Sequence, residues 1–257
     1  MMSEPSSPTA GAIAWVELST SELERAIHFY ERLLGWHFDE VEREDLTTVV
    51  ARTDQGEVGG ISPRLEAPEG PTTPPSWTVF LTTGQLSSSL GRCRELGGSV
   101  LQPQAHLASG GVAAVVADPS GATFGLVEPS AQRPVSRPAG VAWVECLSRD
   151  VPTAQVFYCE LLGWKAEPGE GGYILFARNG EQIAGLMATP REVPSEAPST
   201  WLVYFGVEDA AQASARAAEL GGNVLIAVRD INEGRFAILS DPSGAVFAVF
   251  EPAAPRP

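Results

Sequence analysis

The hydrophobic pattern of the chain switches between the two periods that are typical of strands and helices. Apolar and polar residues alternate along AWVELST (14–20), as in a strand with one buried face. Apolar residues then recur at close to 3.6 spacing over 23–34, and Gly35 follows as a helix stop. Thr20 or Ser21 is a candidate N-cap for this helix. The start of the chain therefore predicts a strand followed by an amphipathic helix.

The same order of elements is predicted again further along the chain. The predicted elements are strands at TTVVAR (47–52), EVGGI (57–61) and WTVFLTT (77–83), a helix at LSSSLGRCREL (86–96), and strands at SVLQP (99–103), VAAVVAD (112–118) and TFGLVE (123–128). Each unit is one strand, one helix and about three strands. Strands and helices that mix without strict alternation indicate an α+β fold.

An internal duplication doubles this pattern. The segment DPSGATFGLVEP (118–129) recurs in similar form as DPSGAVFAVFEP (241–252), and the sequence of residues 14–36 recurs in similar form at 142–164. The chain therefore contains four βαβββ units in two homologous halves. The predicted boundaries are a disordered tail at 1–10, a first domain at 11–129, a linker at 130–138, a second domain at 139–252 and a tail at 253–257.

Composition and net charge argue against several classes of partner and location. The net charge of −15 argues against nucleic-acid binding, which needs a basic surface. No apolar run has membrane length, and the N-terminus has no secretion-signal pattern, so we expect a cytoplasmic protein without a membrane partner. Three cysteines cannot form a disulfide framework, which fits a reducing compartment. A small metabolite or antibiotic is the expected partner.

The helix ends FYERLLGW (29–36) and FYCELLGW (157–164), together with the ELGG and DPSG turns, resemble the vicinal oxygen chelate superfamily. This superfamily includes glyoxalase I, bleomycin-resistance proteins, fosfomycin-resistance enzymes and extradiol dioxygenases. The chain looks closest to its tandem two-repeat actinobacterial members. The resemblance implies two tandem glyoxalase-like domains with cupped mixed β-sheets, each sheet enclosing a cavity. Which units pair stays open, and a monomer or weak homodimer is expected.

Most enzymes of the superfamily hold a divalent metal, and the resemblance indicates where its ligands would lie. One is usually a Glu seven residues after the Asp of the DP-x-G turn, and here that count reaches Gly125 and Ala248. The other ligand positions fall on Trp15, Trp143, Thr78 and Leu202, or on Trp77 and Trp201 if the register slips by one.

None of these residues suits a divalent cation, which prefers several His or carboxylate ligands. Glu128 and Glu251 lie three residues further on, on the opposite strand face, and are interpreted as strand-end surface charges. We therefore expect no cofactor and no metal.

Carboxylates are the strongest catalytic candidates. If Trp15 and Trp143 face the cavities, then Glu17 and Glu145 face them too, because side chains alternate along a strand. A carboxylate near an indole could act as a general acid or base. A purely structural role, with each Glu bonded to a neighbour, stays open.

Other candidates follow from the same count of positions. Ligand-binding residues are expected at Trp15, Trp143, Thr78, Phe80 and Tyr204. Two more candidates mark positions where the halves differ: His106, placed on a loop together with its counterpart Asp230, and Arg235, which replaces Gly111 of the first half.

The sequence leaves three hypotheses for function. The first is a metal-independent, glyoxalase-like protein that binds a small organic metabolite in a Trp-lined cavity, as a tailoring enzyme of secondary metabolism that isomerises, cyclises or eliminates by carboxylate acid/base chemistry. The second is a bleomycin-resistance-type sequestering protein without catalysis. The third is a metal-dependent lyase or dioxygenase. Whether the protein is an enzyme at all stays open at this point.

Overall fold

The computed structural model of the chain describes residues 10–43, 46–63, 74–106, 112–129, 138–191 and 193–254. Within these ranges the chain forms sixteen strands and four α-helices, in the predicted order of four βαβββ units. No helix among these residues is long and apolar enough to cross a membrane.

The first half contains two of the units. They consist of β1 (Ile13–Thr20), α1 (Leu23–Leu34), β2 (His37–Arg43), β3 (Leu46–Thr53) and β4 (Gly56–Pro63), then β5 (Ser76–Thr82), α2 (Leu86–Glu95), β6 (Ser99–His106), β7 (Val112–Ala117) and β8 (Thr123–Glu128).

The second half repeats the order. Its elements are β9 (Val141–Ser148), α3 (Val151–Leu162), β10 (Lys165–Pro168), β11 (Ile174–Arg178) and β12 (Glu181–Ala188), then β13 (Thr200–Gly206), α4 (Ala210–Glu219), β14 (Asn223–Ile231), β15 (Gly234–Ser240) and β16 (Val246–Pro252). A short 3₁₀ turn at Glu170–Gly172 precedes β11.

Consecutive units share one sheet, which answers the question of pairing that the sequence left open. The first sheet has the order β2-β3-β4-β1-β5-β8-β7-β6, and the second has the order β10-β11-β12-β9-β13-β16-β15-β14. In both sheets the first strand of a unit runs parallel to its last strand, and the hairpins are antiparallel. The α+β fold with two tandem domains of mixed sheet is therefore confirmed.

Glycine ends the first helix of each half, as the sequence predicts. Gly35 and Gly163 adopt left-handed conformations with φ of 68° and 69°. Their N–H groups each donate to the last turn of the helix, to Glu31 O and Cys159 O at 3.0 Å. Only glycine adopts this conformation without steric cost, so the LLGW segments turn sharply from helix to strand.

Contacts divide the chain into two compact units that do not coincide with the sequence halves. The first unit comprises Met1–Trp15, Val79–Arg137 and Val144–Trp201, and the second comprises Val16–Thr78, Pro138–Trp143 and Leu202–Pro257. Each compact unit therefore draws its elements from both halves of the duplication.

A buried tyrosine joins the two halves within each compact unit. In the second unit Tyr30 of α1 donates to Asp241 Oδ2 at 3.2 Å and accepts from Trp77 Nε1 at 2.9 Å. In the first unit Tyr158 of α3 donates to Asp118 Oδ2 at 3.0 Å and accepts from Trp201 Nε1 at 2.9 Å. Both phenols are fully buried. The helix of each half thus bonds to the DPSG turn of the other half.

The DPSG turns are held by the same aspartates. Asp118 Oδ1 accepts from the backbone N–H groups of Ser120 at 2.8 Å and Ala122 at 2.9 Å. Asp241 makes the equivalent bonds to Ser243 and Ala245 at 2.8 and 3.0 Å. Each aspartate therefore uses one carboxylate oxygen to close its turn and the other to bind the tyrosine.

Candidate functional site

Side chains on the strands divide between a face that packs on the helices and a face turned away from them. Trp201 bonds to Tyr158 of α3, and Cys146 Sγ lies 3.8 Å from the same hydroxyl, so both side chains point to the helices. Because side chains alternate along a strand, Glu145 points to the opposite face, and Glu17 does so by the same register in the repeat.

Glu17 is buried within the second compact unit, with 9 % of its surface exposed. It lies opposite Gly60 in the parallel pair of β1 and β4. The hydroxyl of Ser62, two residues along β4 on the same face, donates a hydrogen bond to Glu17 Oε1. No sequence pattern identifies Ser62, because its relation to Glu17 depends on which strand pairs with β1.

Glu145 occupies the same position in the second half and is 6 % exposed. It lies opposite Gly185 in the parallel pair of β9 and β12. Met187 stands where the first half has Ser62. Both carboxylates therefore lie beside a glycine, a residue that in strand interiors often marks close approach by a ligand.

Phe80 and Gly125 form the next cluster, in the first compact unit. The two residues are neighbours in the parallel pair of β5 and β8. A Cβ added to Gly125 would overlap the ring of Phe80, so the aromatic ring occupies the space that a side chain at position 125 would need. Phe80 is 3 % exposed.

Tyr204 replaces Phe80 in the second half. It lies opposite Ala248, is 7 % exposed and makes an edge contact with Phe236, with ring centroids 6.1 Å apart. Phe247, the residue before Ala248, contacts Phe29 and Tyr30 of α1. Tyr204 and Ala248 therefore lie on the face turned away from the helices.

The remaining predicted ligand-binding positions differ in burial. Trp15 is 3 % exposed, whereas Trp143 and Thr78 are half-buried. Leu202 is buried. Trp77 and Trp201 point to the helices, so the register did not slip by one.

His106, Asp230 and Arg235 all lie on strands, so the prediction that His106 and Asp230 lie on loops was wrong. His106 is the last residue of β6 and pairs with Val112, while Arg235 is the second residue of β15. The β6–β7 and β14–β15 hairpins extend further than the sequence pattern indicated. Arg235 bonds to Glu251 Oε2 at 3.1 Å and to Asp230 Oδ1 at 3.4 Å. It lies on the opposite strand face from Phe236, which contacts Tyr204.

Glu128 and Glu251 have a more specific role than strand-end charges. Glu128 Oε2 accepts from the backbone N–H of Leu86 at 2.8 Å, and Glu251 Oε2 accepts from that of Ala210 at 2.9 Å. Each satisfies the first N–H of the second helix in its domain, α2 or α4. Both therefore lie on the helix side of their strands, which is the strand face opposite Gly125 and Ala248.

Cys93 and Cys146 are poorly suited to act as nucleophiles. Burial raises the pKa of Cys93 to about 11, and burial also raises the pKa of Cys146 well above its usual range. Thiolates, the reactive forms, are therefore scarce at neutral pH.

The residues at the metal-ligand positions do not fit a metal. The resemblance assigns those positions to Gly125, Ala248, Trp15, Trp143, Thr78 and Leu202, of which only Thr78 carries a side-chain oxygen. Across the described part of the chain, no three His, Cys, Asp or Glu side chains are grouped closely enough to hold an ion. The Phe80 ring also fills the space at position 125.

Comparison with known proteins matches this architecture. The family model described as "Glyoxalase/Bleomycin resistance protein/Dioxygenase superfamily" matches residues 12–126 and 140–249. The described fold places both matched segments on equivalent sheets.

Two curated relatives are similar over nearly the whole chain. "Putative glyoxylase CFP32" of Mycobacterium tuberculosis (strain CDC 1551 / Oshkosh) is 32% identical over 255 residues, covering 95% of each chain. "Anthracycline biosynthesis protein DauV" of Streptomyces sp. (strain C5) is 31% identical over 264 residues, covering 94% of this chain and 93% of the relative.

A solved structure shares the fold. The Mn(II)-bound glyoxalase from Novosphingobium aromaticivorans superposes with a TM-score of 0.61 at 17% identity, covering 95% of this chain and 82% of the other.

Proposed function

Because the chain belongs to the glyoxalase/bleomycin resistance protein/dioxygenase superfamily, we propose that it binds a small planar organic metabolite on the sheet faces turned away from its helices. Glu17 and Glu145 exchange a proton with this ligand, without a metal. The resulting reaction is an isomerisation, cyclisation or elimination in secondary metabolism. The observation that carries the proposal is one buried carboxylate at the same position of both first strands, each beside a glycine.

The relatives support the ligand class. One of them is named for anthracycline biosynthesis, and anthracyclines are planar, polyhydroxylated aromatic molecules. Aromatic side chains that are turned away from the helices, Phe80 in one half and Tyr204 with Phe236 in the other, suit stacking on such rings. Removal of a proton from a ring hydroxyl or an adjacent carbon is a reaction that a buried carboxylate can perform.

Conversion of Glu17 and Glu145 to glutamine tests the catalytic step. Glutamine keeps the size of the side chain and one acceptor oxygen but cannot take up a proton at neutral pH. Binding of 1,8-dihydroxyanthraquinone is measured by quenching of tryptophan fluorescence, and product formation is followed by mass spectrometry. We expect E17Q and E145Q to bind within about threefold of wild type and to lose turnover by about 10²-fold or more.

The double variant gives the decisive comparison. Turnover that survives in E17Q/E145Q contradicts the acid/base assignment. Binding by the wild type with no turnover of any probe in a hydroxyanthraquinone panel favours a sequestering protein instead. The same aromatic surfaces would serve that second function, which needs no carboxylate chemistry.

Metal content tests the third hypothesis. The purified, untagged protein is incubated with Mn²⁺, Fe²⁺, Zn²⁺ or Ni²⁺, dialysed, and analysed for retained metal per chain. Because the ligand positions carry Gly, Ala, Trp and Leu, we expect retention well below one ion per chain and unchanged probe binding after EDTA treatment. Retention of close to one metal ion per chain would instead favour the metal-dependent lyase or dioxygenase hypothesis.

A further inference from the structure

The strand face of β13, β15 and β16 that is turned away from the helices carries three aromatic rings. Phe236 of β15 lies directly opposite Phe250 of β16 in their antiparallel pair. Phe236 also makes the edge contact with Tyr204 of β13, with ring centroids 6.1 Å apart. Both phenylalanines are half-buried, so part of each side chain stays exposed. This aromatic face, defined by Phe236, Phe250 and Tyr204, lies within the single segment Leu202–Pro257 of the second compact unit and suits stacking of a planar ring.

An arginine on the neighbouring strand adds a positive charge to this aromatic face. Arg229 of β14 lies directly opposite Phe236 and is exposed. Side chains directly opposite each other in an antiparallel pair share a face, with Cβ atoms about 5 Å apart. The other charged residues of these strands lie on the helix side: Arg235 pairs with Asp230 and Glu251, and Glu251 also accepts from the first N–H of α4. Within β13–β16, every residue of which is described, Arg229 is therefore the only charged side chain on the aromatic face.

The first half has small residues at the same positions of its sheet. Ala105 lies opposite Ala113, and Ala113 lies opposite Val127. Because the first half forms the same sheet without a cation or aromatic rings at these positions, the fold itself does not require them. The differences therefore indicate a binding role that is specific to the second half, at the counterparts of these small residues, Arg229, Phe236 and Phe250.

We propose that Arg229 is a specificity-determining residue that selects planar aromatic ligands carrying a carboxylate group, with the rings of the ligand stacked on Phe236 and Phe250. This inference rests on the proposed function and deepens it by naming the substrate class. The chain has 32 acidic and 17 basic residues, so its average field repels anions and a preference for one requires a local cation. A guanidinium suits this role, because its planar fork donates two parallel hydrogen bonds to a carboxylate.

Two probes of the same shape and different charge test the inference. Anthraquinone-2-carboxylate and anthraquinone-2-carboxamide share one ring system, and only the first is an anion. Their Kd values for the full chain are measured by quenching of tryptophan fluorescence at low ionic strength. We expect the wild type to bind the carboxylate about fivefold more tightly than the carboxamide, or better. R229Q should remove this preference by weakening carboxylate binding, with carboxamide binding kept within about twofold. R229K should keep part of the preference, because lysine retains the charge without the planar fork.

Two further variants separate local recognition from general effects. R32Q removes the same charge from an exposed position on α1, and it should keep the wild-type preference for the carboxylate. F236L keeps an apolar side chain but removes the ring, so it should weaken binding of both probes by a similar factor of about three. Near-UV circular dichroism reports whether each variant keeps the native aromatic packing.

Three outcomes would overturn the inference while the binding of planar ligands stands. They are equal affinity of the wild type for both probes, an equal loss of carboxylate binding in R229Q and R32Q, and unchanged binding of both probes by folded F236L. Failure of the proposed function has a different signature. If neither probe binds, the planar-ligand proposal fails and the inference fails with it. If turnover survives in E17Q/E145Q while R229Q still loses the preference, only the acid/base assignment fails.

Discussion

The buried hydroxyls of Tyr30 and Tyr158 each connect a strand and a turn to a helix through two hydrogen bonds. Each phenol accepts from a tryptophan N–H and donates to an aspartate that also closes a turn. Burial, followed by the neighbouring Asp241, raises the pKa of Tyr30 well above 10, so the phenol stays neutral and remains a donor. Its proton is therefore available to the aspartate throughout the physiological pH range.

Removal of this hydroxyl should destabilise the fold. In Y30F, the N–H of Trp77 loses its acceptor and Asp241 loses a donor, while the ring packing is retained. A buried polar group left unsatisfied costs about 1–3 kcal/mol, so the unfolding free energy in urea should fall by about that amount.

A matched variant and a neutral control accompany this measurement. Y158F should lose a similar amount, because its contacts in the first compact unit are equivalent. V156A, at a side chain that is 59% exposed, should change stability little. Wild-type stability of Y30F would show that the Trp–Tyr–Asp contacts contribute nothing net.

The candidate site could be predicted at residue scale only where strand alternation decides the outcome. The faces of Glu17, Glu145, Gly125 and Ala248 followed from counting along single strands. Ser62 did not, because its relation to Glu17 depends on which strand pairs with β1. His106 and Asp230 were placed on loops because the sequence pattern does not show how far the two hairpins extend. The ion pair of Arg235 with Glu251 is likewise a contact that no spacing rule encodes.

Helices and strands were mostly predictable as elements, with one instructive omission. β2 has the sequence HFDEVER, and its many charged residues do not follow the pattern from which strands are predicted. The sequence therefore does not predict this strand. It lies at the edge of its sheet, where charged side chains are common because they discourage pairing with other chains. The N-cap prediction for α1 was also inaccurate: the helix begins after Glu22, whose N–H bonds to Thr20 Oγ1 at 3.1 Å.

The glutamates that end β8 and β16 couple a strand to a helix. E128A should lower the unfolding free energy by about 1 kcal/mol, because the N–H of Leu86 at the start of α2 loses its acceptor. E128Q is the matched control, since its amide oxygen can still accept the bond. Equal unfolding free energies for E128A and E128Q in urea would argue that solvent replaces the carboxylate at no cost.

At the scale of the whole molecule, the two halves of the duplication do not fold as separate compact units. Each compact unit combines elements of both halves, and the aromatic core of the second unit joins Tyr30 and Trp36 of the first half to Phe205 and Phe247 of the second. The sequence predicted two tandem domains with boundaries in the linker. It could not predict this exchange, because the two DPSG turns are nearly identical and either could accept either tyrosine.

An isolated half should therefore not exist as a folded monomer. We expect residues 1–138 expressed alone either to lack native near-UV circular dichroism or to dimerise, with Asp118 of a second copy taking the role of Asp241. Light scattering coupled to gel filtration distinguishes these states, and co-expression with residues 139–257 should restore the native spectrum. A folded monomeric half would contradict the exchange of aromatic cores.

Packing of Phe80 on Gly125 also constrains how this protein could be redesigned or could change over time. A single G125E substitution would force a side chain into an aromatic ring, and F80A alone would leave a void with no new ligand. The first half can thus reach a metal-binding carboxylate only through two coupled changes, neither of which is favourable alone. The second half retains a shorter route, because Ala248 already carries a Cβ. A carboxylate at the metal-ligand position is therefore easier to introduce in the second half than in the first, although the two halves arose by duplication.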